Sequence, residues 1–511
     1  MPVVNELESI ASSLESAVKG TTSEKLTLRE KLELMEKSLT AIICKGNELQ
    51  FIKVIGTFAE RARNEYQRKE KDSESTISQL SQEVAALRKL AEELKTDAIE
   101  GEKLRKRLHN EVQELKGNIR VFCRVRPPLP SICFLLNIAS DGVEESALRP
   151  CEQEVGNTQI SFSSDPLSRT EGIELSQWMD STSGCVKPQL KSYPFTFDRV
   201  FSPTSTQADV FEDISQLVQS VLDGYRVCIF AYGQTGSGKT YTMEGPSGKH
   251  DPSFSGMIPR AVAQIFETSH NLGVKNGWKF QLEASFLEIY NETIKDLLAT
   301  PKSIAGCVEE LKKLEIKHNP TTGKTSVSEL TIGTIGANIL PALVPVTSIS
   351  QVNRLLKEAS ENRSIGETRC NERSSRSHSV FTLSVAGENP DTGEKIEGLL
   401  NLIDLAGSER LSSSGATGDR LKETQAINKS LSALGDGELF YHVANKESHI
   451  PYRNSKLTYL LQNSLGGNSK TLMFVNLSPS KESFGESLCS LRFAAKVNSC
   501  HIGTARKNLA K

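Results

Sequence analysis

The sequence predicts an α-helical coiled coil followed by an α/β domain, in which a central, mostly parallel β-sheet carries helices on both faces. Two patterns support this prediction: heptads fill the N-terminal part, and apolar, β-rich runs alternate with helical stretches in the rest. The 511 residues suffice for about three folding units. Only 6% of the residues are aromatic, which is compatible with a long helix that has few aromatic side chains.

The net charge and the cysteine content limit which partners and which cellular compartment are compatible with the sequence. With 61 basic and 63 acidic residues the formal charge is −2, so a local patch must hold any polyanionic partner. The ten cysteines form no CxxC pair and no zinc-ligand spacing, which is typical of a reducing compartment. The N-terminus lacks a basic segment before an apolar block, and no apolar run is long enough to span a bilayer. We therefore expect a soluble intracellular protein.

The N-terminal part is predicted to be helical in two stages. Residues 1–72 form a helical, partly coiled region, and residues 73–116 form a coiled-coil stalk and neck. With Ile77 at position a, ten of the twelve a and d sites up to Leu115 are apolar, and only Gly101 and Arg105 are not. This coil is about 58 Å long. The alternative is a single amphipathic helix that lies on a globular domain.

From Gly117 to residue 503 the sequence pattern is typical of a globular domain. Runs such as IRVFCRV, VCIFAYG, VFTLSVAG and LLNLIDLAG predict buried strands, and helical stretches lie between them. No repeat of 20–50 residues is recognisable, which argues against a solenoid. Residues 504–511 form a short C-terminal tail.

The strongest motif is a phosphate-binding loop that comes directly after the apolar run Val227–Tyr232. It fits the pattern GxxxxGK[ST], in which backbone N–H groups surround phosphate oxygens, the lysine neutralises the β and γ phosphates and the hydroxyl reaches Mg²⁺. The alternative is a flexible Gly/Ser loop. The predicted binding residues are Gly233, Gln234, Thr235, Gly236, Ser237, Gly238, Lys239 and Thr240.

Two further segments supply what a phosphate-binding loop lacks, a means to sense the γ-phosphate. Asp404 ends an apolar strand, where a carboxylate holds Mg²⁺ through water, and Gly407 can bring its N–H to the γ-phosphate. Ser374 and Ser375 can contact the γ-phosphate, Mg²⁺ and the attacking water, while Arg376 can pair with a carboxylate. Read alone, the first segment is also compatible with a turn, and the second with a polar loop.

In their order along the chain these three segments resemble the P-loop, switch I and switch II of the kinesin motor domain. The resemblance extends from Gly117 to near Gly503 and includes VFCRVRP, FTFDRVF, EIYNE and HIPYRNSKLT. It implies a P-loop ATPase with ATP and Mg²⁺ as cofactors, in which Thr240, Ser375 and Asp404 organise the metal. It also implies an adenine site, a gate and a microtubule face. Their residues are Arg124, Arg126, Pro127 and Tyr241 for adenine, Arg376 and Glu409 for the gate, and Arg453 and Lys456 for microtubules.

The position of the coil before the motor resembles the C-terminal-motor, class 14 kinesins, with a plant-like sequence. That resemblance implies minus-end-directed movement, with residues 77–115 joining a homodimer or a heterodimer. It implies a location in the cytoplasm on the microtubule cytoskeleton, with the spindle as a candidate site. The sequence itself predicts no membrane span and no nucleic-acid partner. A generic P-loop ATPase acting on nucleic acid is the weakest alternative, because the sequence has no nucleic-acid module or basic stripe.

Three segments depart from the kinesin pattern: 130–140, 333–343 and 435–444. The last would add two residues to a long helix and rotate the remainder of that helix by about 200°, so we expect this helix to end early, bulge or pair differently. Ser413 stands where the family commonly has lysine. These departures leave a second hypothesis open: a microtubule-binding or bundling protein whose ATP hydrolysis is uncoupled from movement.

Overall fold

A computed structural model describes most of the globular part and the helix before it. The described residues are 49–129, 160–163, 172–179, 189–246, 251–298, 314–319, 324–328, 344–345, 349–365, 373–410, 419–435, 449–465 and 469–500, with scattered residues within 13–40, 303–308 and 442–447. They divide into two compact units, Met1–Leu108 and His109–Lys511. The second unit begins earlier than the predicted domain start at Gly117, because the end of the preceding helix belongs to it.

The first unit is dominated by helix α1, Leu49–Leu115, whose last turns pass into the second unit. From Ile77 to Ala98 every a and d side chain is buried or half-buried, while most of the others are exposed. Val84 and Ala91 are the most buried of them. Continuous helix with a heptad burial pattern agrees with the prediction for this segment; pairing with a second chain stays a prediction.

The centre of the second unit is one large β-sheet. Among the described residues its strands lie in the order β13-β7-β14-β15-β6-β16-β1-β5, and β8 pairs with β7 at the side. The strands of the chain are β1 Ile119–Val125, β2 Ile160–Phe162, β3 Gly172–Met179, β4 Gln189–Thr196, β5 Arg199–Phe201, β6 Arg226–Tyr232, β7 Lys279–Tyr290, β8 Thr293–Asp296, β9 Ser303–Ile304, β10 Cys307–Val308, β11 Glu315–Asn319, β12 Lys324–Ser328, β13 Val344–Pro345, β14 His378–Glu388, β15 Lys395–Asp404 and β16 Lys470–Leu477.

The sheet is mixed, which corrects the expectation of a mostly parallel one. Strands β15, β6, β16, β1 and β5 are parallel neighbours. Strands β13, β7, β14 and β15, together with β8, pair antiparallel. A short turn at Asn389–Glu394 joins β14 to β15, and antiparallel strands need no longer connection than this. The parallel half carries the phosphate-binding loop.

Helices cover both faces of the sheet, as predicted. One core cluster contains apolar residues of α2, α4 and α5, and the other contains residues of α6, α7, α8 and α9. Strand β1 shows the alternation, because Val121 and Cys123 belong to one cluster and Phe122 to the other. The helices are α2 Gln207–Leu222, α3 Lys239–Met243, α4 Met257–Asn276, α5 Ile349–Ile365, α6 Asp419–Gly435, α7 Lys456–Leu460, α8 Gln462–Leu465 and α9 Phe484–Asn498.

Smaller sheets accompany the main one. Strands β2, β3 and β4 form an antiparallel sheet, and β11 and β12 form a hairpin. The two tryptophans of the chain lie in different surroundings: Trp178 on β3 is 61% exposed, while Trp278, next to β7, is 5% exposed and stacks on Phe280.

Several predictions fall on residues that the structure does not describe. These are the segments 130–140 and 333–343, Ser413, the tail 504–511 and most of 435–444. Helix α6 is described to Gly435, and residues 436–441 after it lie outside the described part.

Candidate nucleotide site and switch segments

The predicted phosphate-binding loop connects β6 to α3 at the parallel half of the sheet. Gly236 and Gly238 adopt positive φ angles of 75° and 95°, which a residue with a Cβ rarely adopts. The Lys239 ammonium is buried and donates to the carbonyl oxygens of Gly233 at 2.9 Å and Gln234 at 3.0 Å. Burial lowers the pKa of Lys239, and nearby acidic groups partly oppose that effect. Backbone carbonyl oxygens of the loop therefore hold the Lys239 ammonium in place.

A cavity of about 540 Å³ opens beside the loop and collects the predicted adenine residues. The Arg124 guanidinium lies 5.5 Å from the Tyr241 ring centroid and donates to Gln207 Oε1 at 2.8 Å. Arg126 donates to the Gly236 carbonyl oxygen at 2.9 Å. These contacts fix two arginines and an aromatic ring at one end of the cavity, and Pro127 also lines it.

Oxygen atoms suited to a hard cation meet at the other end of the cavity. Thr240 Oγ1 donates to Asp404 Oδ2 at 2.6 Å, and Ser375 lines the same space. Asp404 is buried, and its Oδ1 has no hydrogen-bond partner among the described residues. A buried carboxylate oxygen without a partner, beside two hydroxyls, fits Mg²⁺ or a water bound to it.

The two switch segments contact each other and the loop through backbone hydrogen bonds. The Gly407 N–H donates to the Ser375 carbonyl oxygen at 2.8 Å, and the Ser408 N–H donates to that of Gly233 at 3.1 Å. Gly407 has no room for a Cβ, which would lie 2.3 Å from both Glu409 Oε2 and Thr235 Oγ1. The structure thus brings together switch I, switch II and the loop, as the resemblance implied. Of Ser374 only the backbone is described.

The predicted gate is not formed in this structure. Glu409 accepts from the Thr235 N–H at 2.9 Å and from its hydroxyl at 2.6 Å. Arg376 instead pairs with Glu423 of α6 at 3.2 Å. Among the ion pairs of the described residues, Arg376 with Glu409 does not occur. Both gate residues lie in their switch segments, but each has another partner here.

Several residues of the site carried no recognisable motif. Asn476, at the end of β16, lines the cavity and donates to Thr242 Oγ1 at 2.9 Å, and Pro203 and Ser205 also line it. Arg363 of α5 is buried and lies 3.6 Å from both Glu244 and Asp404. The only sequence signal for any of them was the position of Asn476 at the end of a predicted strand, where α/β folds place ligands.

The kinesin motor domain family model matches residues 149–500. The chain belongs to the kinesin family. A kinesin-like protein KIN-14N from Oryza sativa subsp. japonica is 54% identical over 418 residues, which is 81% of this chain and 48% of the relative. Carboxy-terminal kinesin 2 from Xenopus laevis is 51% identical over 85% of this chain and 61% of its own length. The chain spans about half the length of the curated relatives it matches first.

Solved kinesin structures resemble this one in fold. The C-terminal motor and motor homology domain of Kar3Vik1, fused to a synthetic heterodimeric coiled coil, has a TM-score of 0.66 at 40% identity, covering 85% of this chain and 99% of that one. The Kar3 motor domain of Saccharomyces cerevisiae has a TM-score of 0.56 at 42% identity, covering 75% and 100%. None of the described helices is both long and apolar enough to cross a membrane.

The two residues expected on the kinesin's microtubule face lie at and beside helix α7. Arg453 is exposed and its guanidinium lies 5.5 Å from the Tyr459 ring centroid. Lys456 is half-buried, and its backbone N–H donates to Glu292 at 2.9 Å. The hairpin β11–β12 contacts α7 and carries the exposed Lys317, which no motif had indicated. These basic residues form a local cluster of positive charge, although the net charge of the whole chain is close to zero.

The end of the neck helix packs on the kinesin motor through polar contacts. His109 Nε2 lies 3.1 Å from both the Gln216 carbonyl oxygen and Ser220 Oγ. The buried Lys470 donates to Asn110 Oδ1 at 2.9 Å and lies 4.1 Å from the Tyr225 ring centroid. Burial lowers the pKa of Lys470 to about 8. The last turns of α1 thus supply a polar partner to a buried cation.

Proposed function

We propose that this chain is an ATP-hydrolysing microtubule motor that moves toward minus ends as a dimer. The observation that carries the proposal is the convergence of the phosphate-binding loop and both switches on one cavity, joined by the Gly407 to Ser375 backbone hydrogen bond. Family membership supports the same activity. The neck that leads directly into the motor, and the class 14 relatives, support minus-end direction.

Each group has a defined part in this mechanism. Lys239 and the loop N–H groups hold the phosphates, and Thr240, Ser375 and Asp404 would hold Mg²⁺, the last through water. The metal supplies positive charge against the developing negative charge on the phosphate oxygens. The Gly407 N–H, Ser374 and Ser375 would position the γ-phosphate and the attacking water, while Arg376 exchanges Glu423 for Glu409 to close the gate.

Two substitutions test the site. Lys239→Ala removes a charged hydrogen-bond donor. Because its contacts with the phosphates contribute about 3 kcal/mol, we expect ATP affinity to fall about 100-fold. Glu409→Ala leaves the phosphate contacts in place, so ATP still binds but is not turned over. Equilibrium binding of a fluorescent ATP analogue, measured beside steady-state ATPase, separates the two effects. Equal, parent-like turnover in both variants would refute these roles.

The activity itself is tested with microtubules. We expect steady-state ATPase to rise strongly when microtubules are added, and polarity-marked filaments to glide with the plus end leading. Tight binding without stimulation would instead support the crosslinking function, and filaments gliding with the minus end leading would refute the proposed direction.

A matched pair of substitutions tests the microtubule face. Arg453→Gln and Lys456→Gln remove positive charge that would face the acidic surface of tubulin. We expect each to raise the microtubule concentration needed for half-maximal ATPase several-fold and to leave basal ATPase unchanged. Lys357→Gln on α5 is the control, because Lys357 is exposed on another helix.

A further inference from the structure

The heptad seam of α1, formed by its a and d sites, is covered within the single chain. From Tyr66 to Ala98 every a and d side chain is buried or half-buried. Val84 is 8% exposed and Ala91 4%, whereas Leu90, the neighbour of Ala91, is 44% exposed. Neighbours three and four residues away on the same helix cover only part of a side chain. A second segment therefore packs along this face of α1.

The residues before α1 carry a heptad pattern of their own. With Val4 at position a, ten of the twelve a and d sites up to Ile42 are apolar, and only Thr21 and Lys25 are not. The described residues within 13–40 are helical and exposed, and all of them lie off those a and d sites. The first unit, Met1–Leu108, contains only α1 and the residues before it, so within that unit they are the partner of the seam.

One ion pair joins this N-terminal segment to α1. Arg63 Nη2 donates to Glu36 Oε1 at 2.6 Å, although 27 residues separate the two along the chain. Between them lie Gly46 and Asn47, residue types that favour a turn. The Tyr66 hydroxyl, three residues beyond Arg63, is buried and has no hydrogen-bond partner among the described residues. Both observations place the N-terminal segment against the start of the seam, with the chain running back on itself.

We propose that residues 4–42 fold back along α1 as an antiparallel helix and occupy its seam from Tyr66 to Ala98. Counted in opposite directions from the Glu36–Arg63 contact, Leu14 and Val18 then lie opposite Val84. Apolar heptad sites of the two segments face each other in this register.

The fold-back makes the stalk autoinhibitory for dimerisation. A second chain that pairs along this part of α1 must displace the N-terminal segment, because both need the same apolar face. The later sites Leu108, Val112 and Leu115 are exposed and stay accessible to a second chain. The competition rests on the dimer of the proposed function, whereas the fold-back itself does not.

A zero-length cross-link tests the fold-back in the full chain. Arg63→Lys places an amine beside the Glu36 carboxylate, and a carbodiimide joins the two as an amide when they are in contact. We expect peptide mass spectrometry to find the link between positions 36 and 63. Arg61→Lys, at an exposed position two residues earlier, is the matched control and should form no link to Glu36.

Isotope mixing shows whether this link lies within one chain. Light and heavy chains are diluted together and reconcentrated so that dimers exchange, and we expect only light–light and heavy–heavy linked peptides. Mixed peptides, or no link at all in the Arg63 variant, would overturn the proposal.

The competition for the seam is tested by sedimentation equilibrium. Leu14→Glu with Val18→Glu weakens the fold-back and frees the seam, so we expect the Kd of dimerisation to fall about tenfold, which corresponds to about 1.4 kcal/mol. Ser13→Glu with Ser23→Glu adds the same charge at exposed sites off the heptad pattern and should leave the Kd unchanged.

The sign of the change decides between two arrangements. If these heptads pair between chains instead, the Leu14 and Val18 variant dimerises more weakly, and a Kd that rises or stays the same overturns the proposal. A parent that stays monomeric while the 36–63 link forms would support the fold-back and refute the dimer of the proposed function.

Discussion

At the scale of single residues, His378 links the two switch segments through an uncharged ring. Its Nδ1 accepts from the Ala406 N–H at 3.0 Å, and its Nε2 lies 2.7 Å from Ser430 Oγ. A backbone N–H can donate only to an unprotonated nitrogen, so the proton sits on Nε2. Burial, with Arg363 and Lys239 nearby, lowers the pKa of His378 from 6.5 to about 3.

This shift predicts acid sensitivity. Between pH 6.5 and about 3 the unfolded chain binds a proton at His378 that the native state does not. The free energy of unfolding therefore falls as pH falls through that window, by about 1.4 kcal/mol per pH unit from this group. His378→Asn keeps an acceptor for the Ala406 N–H and does not titrate. We expect it to be about 1–2 kcal/mol less stable at neutral pH, with a shallower pH dependence.

Urea unfolding at a series of pH values between about 7 and 5 checks this prediction. The exposed His270, changed to Asn, serves as the matched control and should keep the parent's slope. If the His378 variant and the parent lose stability equally between these pH values, the role of His378 is wrong.

Sequence reasoning found contiguous residues and missed dispersed ones. The phosphate-binding loop was predictable because a single stretch of eight residues performs the task and leaves a pattern of glycines. Asn476, Pro203 and Arg363 reach the site from three distant segments. Each is a common residue type in a common context, so only the fold reveals what it contacts.

At the scale of elements, two carboxylates, Glu409 and Glu423, are alternative ion-pair partners of Arg376. In this structure it pairs with Glu423 of α6 at 3.2 Å, while Glu409 accepts from Thr235. The Arg376–Glu423 pair is half-buried, and a pair of this kind contributes about 1 kcal/mol. Helix α6 therefore competes with switch II for the arginine of switch I.

Glu423→Gln should release this arginine. With its competitor removed, Arg376 pairs more often with Glu409, and we expect basal ATPase without microtubules to rise up to about fivefold. Glu358→Gln on α5 is the matched control, since Glu358 pairs with Arg354 on a helix surface. Basal turnover that stays the same, or that drops as in Glu409→Ala, would contradict this account.

The neck contact predicts a second effect between elements. Asn110→Ala removes one of the groups that hold the buried Lys470 ammonium, whose other contacts are Ser220 and the Tyr225 ring. A hydrogen bond to a charged group contributes about 1.5 kcal/mol, so amide exchange in residues 109–116 should accelerate about tenfold.

Hydrogen exchange followed by mass spectrometry measures this acceleration at the neck. Lys116→Ala, at an exposed position beside the same turn, should leave the exchange unchanged. Unaltered exchange in the Asn110 variant would mean that the neck is held by other contacts, such as Arg120 with Gln113.

The secondary structure was predictable where a period was visible, and strand direction was not. Heptads give a long helix a repeat that can be read directly, and α1 matches it. Apolar runs predict that β7, β14 and β15 are buried strands, but a buried strand has the same composition in either direction. The mixed sheet depends on connections that composition does not encode.

At the scale of the whole molecule, the last heptad sites of α1 face solvent. Leu108, Val112 and Leu115 are exposed, Leu115 to 89%. Burying two leucines at d sites in a dimer contributes about 3 kcal/mol or more per chain. Leu108→Glu with Leu115→Glu should therefore weaken dimerisation at least about 100-fold.

Sedimentation equilibrium of the full chain measures this loss. Leu104→Glu is a matched control, because Leu104 is similarly exposed but occupies a g site beside the seam. If the Leu104 variant dissociates as readily as the double variant, or the double variant remains dimeric, the heptad register is wrong.

The two tryptophans give the molecule a built-in pair of optical reporters. Iodide should quench Trp178, on the three-stranded sheet, in the native protein, while Trp278, against Phe280, is shielded until that region opens. An early gain in quenching during denaturation, ahead of loss of the large sheet, would identify local opening around Trp278. Replacing Trp178 with Phe leaves an emission that reports on the motor core alone, without any attached dye.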